Sequence, residues 1–206
     1  MNWNEIQRML ERSSNNVKIV RAHGADDVAA RMGVNRDSTL GQVISNTKEI
    51  YINRYLRLCG SANIEKVNML VKRFHPGKKV VVATDAWGGL FAISNGDFPG
   101  HEASVWYYAP DLLEWEDLEL NYSTFVEFAC GETVDEYYMS FMWPDMDKLL
   151  AGSLGGLIGG VNSDHALMIY PFLWSEECNI ETAKKTIDTL ENIVSFYAMN
   201  EKKLKE

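Results

Sequence analysis

Residues 80–100 read VVVATDAWGGLFAISNGDFPG, and the fold turns on how this stretch breaks. Val80, Val81 and Val82 open the most β-branched apolar run in the chain, which is the composition of a central strand. The run stops at Asp85-Ala86-Trp87-Gly88-Gly89, resumes as GLFAIS, stops again at Ser94-Asn95-Gly96-Asp97, and resumes as SVWYYAP (104–110). Glycine admits the left-handed backbone that a tight turn or bulge demands. The Asp85 carboxylate can accept hydrogen bonds from the amides that such a turn frees. Asn95-Gly96 is a dipeptide favoured in hairpin turns. Short turns between successive strands imply antiparallel neighbours, so these bends read as structure and not as chemistry.

Upstream, NIEKVNMLVKRF (63–74) has a helical period and ends at Pro76-Gly77. GQVIS (41–45) and EIYINRYLRL (49–58) alternate apolar and polar positions around Asn46-Thr47-Lys48, which predicts a hairpin. Tyr51, Asn53, Tyr55 and Arg57 then share one face, with Ile52, Arg54, Leu56 and Leu58 on the other. GADDVAARMGV (24–34) predicts a short helix closed by Gly33, and VKIV (17–20) a short strand. Trp3, Ile6, Met9 and Leu10 fall on one helical face, capped by Asn2 or Asn4.

Downstream, LEWEDL (113–118) reads as a further short strand or a turn. At NYSTFVEFACG (121–131) the period changes from two to about 3.6, predicting a helix that ends at Gly131. TVDEYYMSFMW (133–143) is a second helix, halted by Pro144. ALMIYPFLW (166–174) reads as a strand ending at Pro171. Residues 179–206 read as one long helix, with Ile180, Ala183, Ile187, Leu190, Val194 and Tyr197 stepping by threes and fours. The expected fold is α+β: a mostly antiparallel central sheet flanked by helices. It forms a single domain over 1–206, with 179–206 as a peripheral terminal helix and a candidate homodimer interface.

With 206 residues, 46% hydrophobic and 24% charged, the chain has the composition of one soluble globular domain. A net charge of −9 argues against a nucleic-acid partner, which needs a basic face, and against an anionic membrane surface. It favours a basic protein partner, because complementary charge steers association. No apolar run approaches the roughly 20 residues of a membrane span, and the N-terminal stretch has no apolar signal core. Cys59, Cys130 and Cys178 are far apart with no CxxC pair, which fits reduced thiols in a cytoplasm better than a disulfide framework or zinc site.

GSLGGLIGGV (152–161) matches neither GxGxxG nor GxxxxGK[ST], so its glycines read as backbone freedom in a loop. His23, His75, His101 and His165 lack any metal-binding spacing; convergence with Asp85, Asp97 or Glu102 is the one route left to a metal. No GxSxG elbow occurs and no cysteine has a catalytic context. No catalytic residue, metal or cofactor is expected. Asp111, Glu114, Glu116, Asp117 and Glu119 crowd one turn region and read as a solvated acidic rim, with a buried acid–base pair as the alternative. Most aromatic rings must be core, but alternation in VWYYAP puts Trp106 and Tyr107 on opposite faces, so half of that strand's rings can line a groove. The candidate ligand- or partner-binding residues are therefore Asp85, Trp87, Asp97, Trp106, Tyr108, Asp111, Glu114 and Trp115.

ATDAWGGLFAISNG, VWYYAPDLLEWEDLELNYSTFVEFACG, YYMSFMWP and YPFLWS resemble, in this order, the segments of an uncharacterised bacterial family known only as a domain of unknown function. The resemblance runs from about Trp3 to Trp174; the Gly-rich segment 151–160 and the C-terminal helix depart from the pattern. More distantly, the order of strand, glycine-containing turn, aromatic strand and helix is similar to the SUKH superfamily. That likeness implies an α+β immunity protein that binds and neutralises a toxin. Two functions follow as expectations: a non-enzymatic protein-binding module, immunity-like, or a small-ligand binder or enzyme with a pocket near the Asp85–Gly89 turn, between Asp97, Trp106 and Trp115.

Overall fold

A computed structural model describes residues 1–22, 27–99, 103–150 and 164–205. Seven strands form one sheet in simple sequence order, every neighbouring pair antiparallel: β1 (Val17–Arg21), β2 (Thr47–Ile52), β3 (Leu56–Cys59), β4 (Val80–Asp85), β5 (Leu90–Ile93), β6 (Ser104–Ala109) and β7 (Glu114–Asn121). The β-branched run at 80–85 is the middle strand, as its composition predicts. A second, two-stranded antiparallel sheet pairs β8 (His165–Tyr170) with β9 (Lys184–Thr189). It is tied to the first where the Leu167 amide donates to the Ala86 carbonyl at 2.7 Å.

Helices cover both faces. α1 (Trp3–Arg12) starts at Asn2, whose side chain caps the Glu5 amide while the Glu5 carboxylate returns to the Asn2 amide. α2 (Val28–Arg31), α3 (Thr39–Asn46), α5 (Tyr122–Cys130), α6 (Thr133–Tyr138) and α7 (Met146–Leu150) join α1 in one core with Leu58, Val82, Phe91, Val105 and Tyr107. α4 (Ile64–Phe74) and α8 (Leu190–Lys205) enclose a second core around Val81, Leu90, Ala92 and Tyr108. The alternation Leu90, Phe91, Ala92 sends neighbouring side chains to opposite cores, which is the period of a strand buried on both sides.

Three expectations change. GQVIS is part of helix α3: Ser38 caps it by accepting from the Gly41 amide at 3.1 Å, and Leu40, Val43 and Ile44 bury one helical face. The hairpin bend moves from 46–48 to Asn53-Arg54, both with left-handed backbone, φ 48° and 66°. Ile50 still faces Leu58, Ile52 faces Leu56 and Tyr51 faces Arg57, so the expected division holds for the paired residues, whereas Asn53, Arg54 and Tyr55 form the bend and Tyr55 enters the core of Leu56 and Leu58. The terminal segment is not helical from Asn179: it supplies β9 first, and α8 begins at Leu190. The α8 face that suggested a dimer buries Leu190, Val194 and Tyr197 inside this chain. The Gly-rich stretch 151–160, His23, His101 and Glu102 lie outside the described residues. No described helix is long and apolar enough to cross a membrane.

Candidate functional site

Asp85 closes β4 within a stretch, Val81 to Leu90, in which every residue is buried. Its Oδ1 accepts the Trp87 and Gly89 amides at 2.9 and 2.8 Å, as the turn chemistry predicts. Its Oδ2 accepts the hydroxyls of Tyr107 and Tyr138 at 2.7 and 3.1 Å. Arg57, equally buried on β3, attracts it electrostatically and donates from Nη1 to the His165 carbonyl at 2.7 Å. Burial pushes the Asp85 carboxyl above its ordinary range, while its hydrogen-bond donors and Arg57 pull it back. Burial and the Asp85 charge hold Tyr107 and Tyr138 protonated, far above the ordinary phenol. Two amides that can only donate and two hydroxyls surround both carboxyl oxygens, and these contacts oppose the effect of burial. All four partners are protein, so Asp85 acts as a fastener joining β3, β4, β6 and α6. Trp87 stacks on Tyr138 with ring centroids 4.9 Å apart and seals this knot.

The other expected residues gather elsewhere. Phe98 stacks on Trp106 at 4.5 Å and meets Trp115 at 5.1 Å, and Trp115 meets Tyr108 at 5.3 Å. The Lys79 ammonium lies 5.5 and 5.6 Å from the rings of Phe98 and Trp115. Asp97 Oδ2 accepts the Lys78 and Lys79 amides at 2.6 and 2.8 Å and the Lys79 ammonium at 3.2 Å, holding the turn after α4 in place. His75 packs 4.7 Å from Tyr108, and its Nδ1 lies 3.7 Å from Glu201 Oε2. Burial drives this imidazole down to about 4, against the pull of Glu201, so it is neutral at pH 7.

Among the described residues, no pocket joins Asp85–Gly89 to Asp97, Trp106 and Trp115. Trp87 belongs to one core, whereas Tyr108 and Trp115 belong to the core across the sheet. Trp106 and Tyr107 do diverge as the alternation predicts, but Trp106 is half-buried beneath Phe98 and Tyr108 is 1% exposed, which leaves little open aromatic groove on that strand. What stays in water is the tip of the β6–β7 hairpin. Asp111 is half-buried, Leu112 is 53% exposed, and Glu114 and Glu116 are exposed on the outermost strand. Burial raises the Asp111 carboxyl; burial, then Asp111 and Glu114, raise Glu116. Asp117 is turned inward and accepts the Ser104 hydroxyl. Among the described residues no cluster of His, Cys, Asp and Glu is arranged to hold a metal ion.

Sequence reasoning passed over Arg57, Tyr107 and Tyr138 as partners of Asp85. A signal for Arg57 existed: it is the one charge in the run Leu56-Arg57-Leu58-Cys59, all four of them buried. An arginine amid such neighbours needs a buried counter-charge. The tyrosines carried no comparable mark.

The chain is similar along nearly its whole length to proteins that are themselves uncharacterised. It is 28% identical to YbfG of Escherichia coli (strain K12) over 211 residues, covering 97% of this chain and 92% of that protein. It is 24% identical to an uncharacterised protein of Haemophilus influenzae over 196 residues, covering 87% of this chain and 86% of that one. The family match runs through 151–160 and into α8, beyond the Trp3–Trp174 span of the motifs. With its model matched over residues 1–192, the chain belongs to the family described as protein of unknown function DUF2625.

Proposed function

We propose that this is a non-enzymatic binding module of the cytoplasm whose partner is a basic protein, engaged through the tip of the β6–β7 hairpin. The supporting observation is the group Asp111, Glu114 and Glu116: like charges close enough for Asp111 and Glu114 to raise Glu116, with the attraction between Lys205 and Glu114 offsetting part of that charge and no salt bridge at contact distance among the described residues. A cationic surface would relieve that repulsion, and exposed Leu112 offers an apolar contact at its centre. The Asp85 knot supports the non-enzymatic half of the reading, because its carboxylate is saturated by protein donors and shut from solvent. Immunity-like neutralisation of a basic toxin, suggested by the SUKH likeness, is the setting this reading favours.

The test uses the whole protein and a Glu114→Lys/Glu116→Lys variant as baits in source-cell lysate, at low and at high salt. The reading expects a basic protein retained by wild type, released by salt and lost on the variant. Both substituted positions are exposed, so circular dichroism should report an unchanged fold. Retention of the same proteins by both baits, or of no basic protein, overturns the reading. If the captured protein is toxic to cells, co-expression should restore growth.

A further inference from the structure

The bend at Asn53-Arg54 opens on a cleft of about 590 Å³, between the β2–β3 hairpin and the segment 135–148. Its lining includes Asn53, Arg54, Tyr55, Asp135, Trp143 and Asp147. The volume is that of a small-molecule site. One wall is cross-linked by hydrogen bonds. Asn53 Nδ2 donates to Asp135 Oδ1 at 2.7 Å and to Asn15 Oδ1 at 3.0 Å, and the Tyr55 hydroxyl donates to that same Asp135 oxygen. The Tyr55 ring packs 4.8 Å from Tyr138 and 5.7 Å from Trp87, so the cleft is backed by the Asp85 knot. Asn53, Arg54 and Asp145 all hold left-handed backbone at its rim, and a constrained rim of this kind is where binding sites concentrate.

The polar groups left over define the ligand. Asp135 Oδ1 is already used, and Oδ2 has no hydrogen bond among the described residues. Among the described residues Arg54 reaches only the Asp147 carbonyl, at 3.4 Å, which leaves most of its guanidinium donors for a ligand. Carboxylates and a guanidinium are planar, two-pronged groups that match adjacent hydroxyls, and Trp143 supplies an aromatic wall. A cationic ligand would meet Arg54, while Lys148 is held on Asp145 at 2.6 Å and the Lys185 ammonium lies 4.8 Å over the ring of Trp143. An anionic one would meet Asp135 and Asp147, Asp145 being paired with Lys148. We propose that this cleft binds a small, neutral, polyhydroxylated ligand of the mono- or disaccharide class, held by Asp135, Arg54 and Asp147 beside Trp143. This site is separate from the acidic hairpin tip and stands or falls independently of it.

The test is calorimetric titration of the intact protein with glucose, N-acetylglucosamine, maltose and sucrose, with spermidine and citrate as charged comparators. At least one sugar should saturate a single site and the comparators should not. Asp135→Asn and Arg54→Asn should each weaken that binding at least about fivefold, the loss expected of one or more hydrogen bonds. Asparagine tolerates the left-handed backbone of position 54, so the second variant decides the matter should the first fail to fold. Absence of saturable sugar binding, unchanged affinity in a folded Arg54→Asn variant, or saturation by spermidine or citrate instead would each overturn the assignment.

Discussion

A methyl group at position 89 would stand 2.4 Å from Asp85 Oδ2 and 2.5 Å from both the ring and the hydroxyl of Tyr107. Neither neighbour can yield, because each is buried and bonded to the other. Gly89→Ala should therefore cost about 1–3 kcal/mol, the range for overpacking a closed core, read as a lower urea midpoint. The need for glycine here was legible in the sequence as a turn residue. The closeness of Tyr107 was not, since that residue lies 22 positions beyond Asp85, on β6. His75 gives a second prediction at this scale. It is surrounded by Glu201, Lys79, Lys202 and Lys205, and burial lowers it from 6.5 to about 4. Between those values the unfolded chain takes up a proton that the folded chain refuses. Stability is thus fully present above pH 6.5 and falls as pH drops through that window, by up to about 3 kcal/mol. Urea unfolding at pH 7.5 and 4.5 should show a larger loss for wild type than for His75→Phe. Equal losses would refute the assignment.

Elements were legible where their signals were local. The Asn2 cap of α1 and the Asn95-Gly96 turn act within three or four residues of themselves, and both appear as expected. Two misreadings share one cause. Ala183 and Ile187 are four apart, a spacing that satisfies both a helix and a strand, and only pairing with β8 makes the segment a strand. GQVIS likewise fits both periods until the Ser38 cap and the burial of Leu40, Val43 and Ile44 are counted. α8 packs onto the Asp85 turn: Ile193 lies against Gly88, and the Tyr197 hydroxyl donates to the Trp87 carbonyl at 2.8 Å. Tyr197→Phe leaves that buried carbonyl without its donor and should destabilise the protein by about 1–2 kcal/mol. Guanidinium unfolding followed by tryptophan fluorescence would measure it.

At the scale of the whole molecule, both faces of the large sheet are closed by helices, so function is left to its edges and bends. β7 is an outer strand, and its exposed Glu114, Glu116 and Glu119 discourage unwanted strand pairing while carrying much of the local negative charge. By itself the sequence determined the α+β class, the central position of β4, the turn at Asp85–Gly89 and the family. Each of these depends on neighbours within one element or on short motifs in order. The tertiary structure alone decided that Asp85 is fastened by Arg57, Tyr107 and Tyr138, that the aromatic strands face inward, and that Asn53, Tyr55 and Asp135 meet around a cleft. The physical reason is that burial and charge pairing depend on residues as far as 118 positions apart being folded into contact, and no local pattern encodes which of them meet.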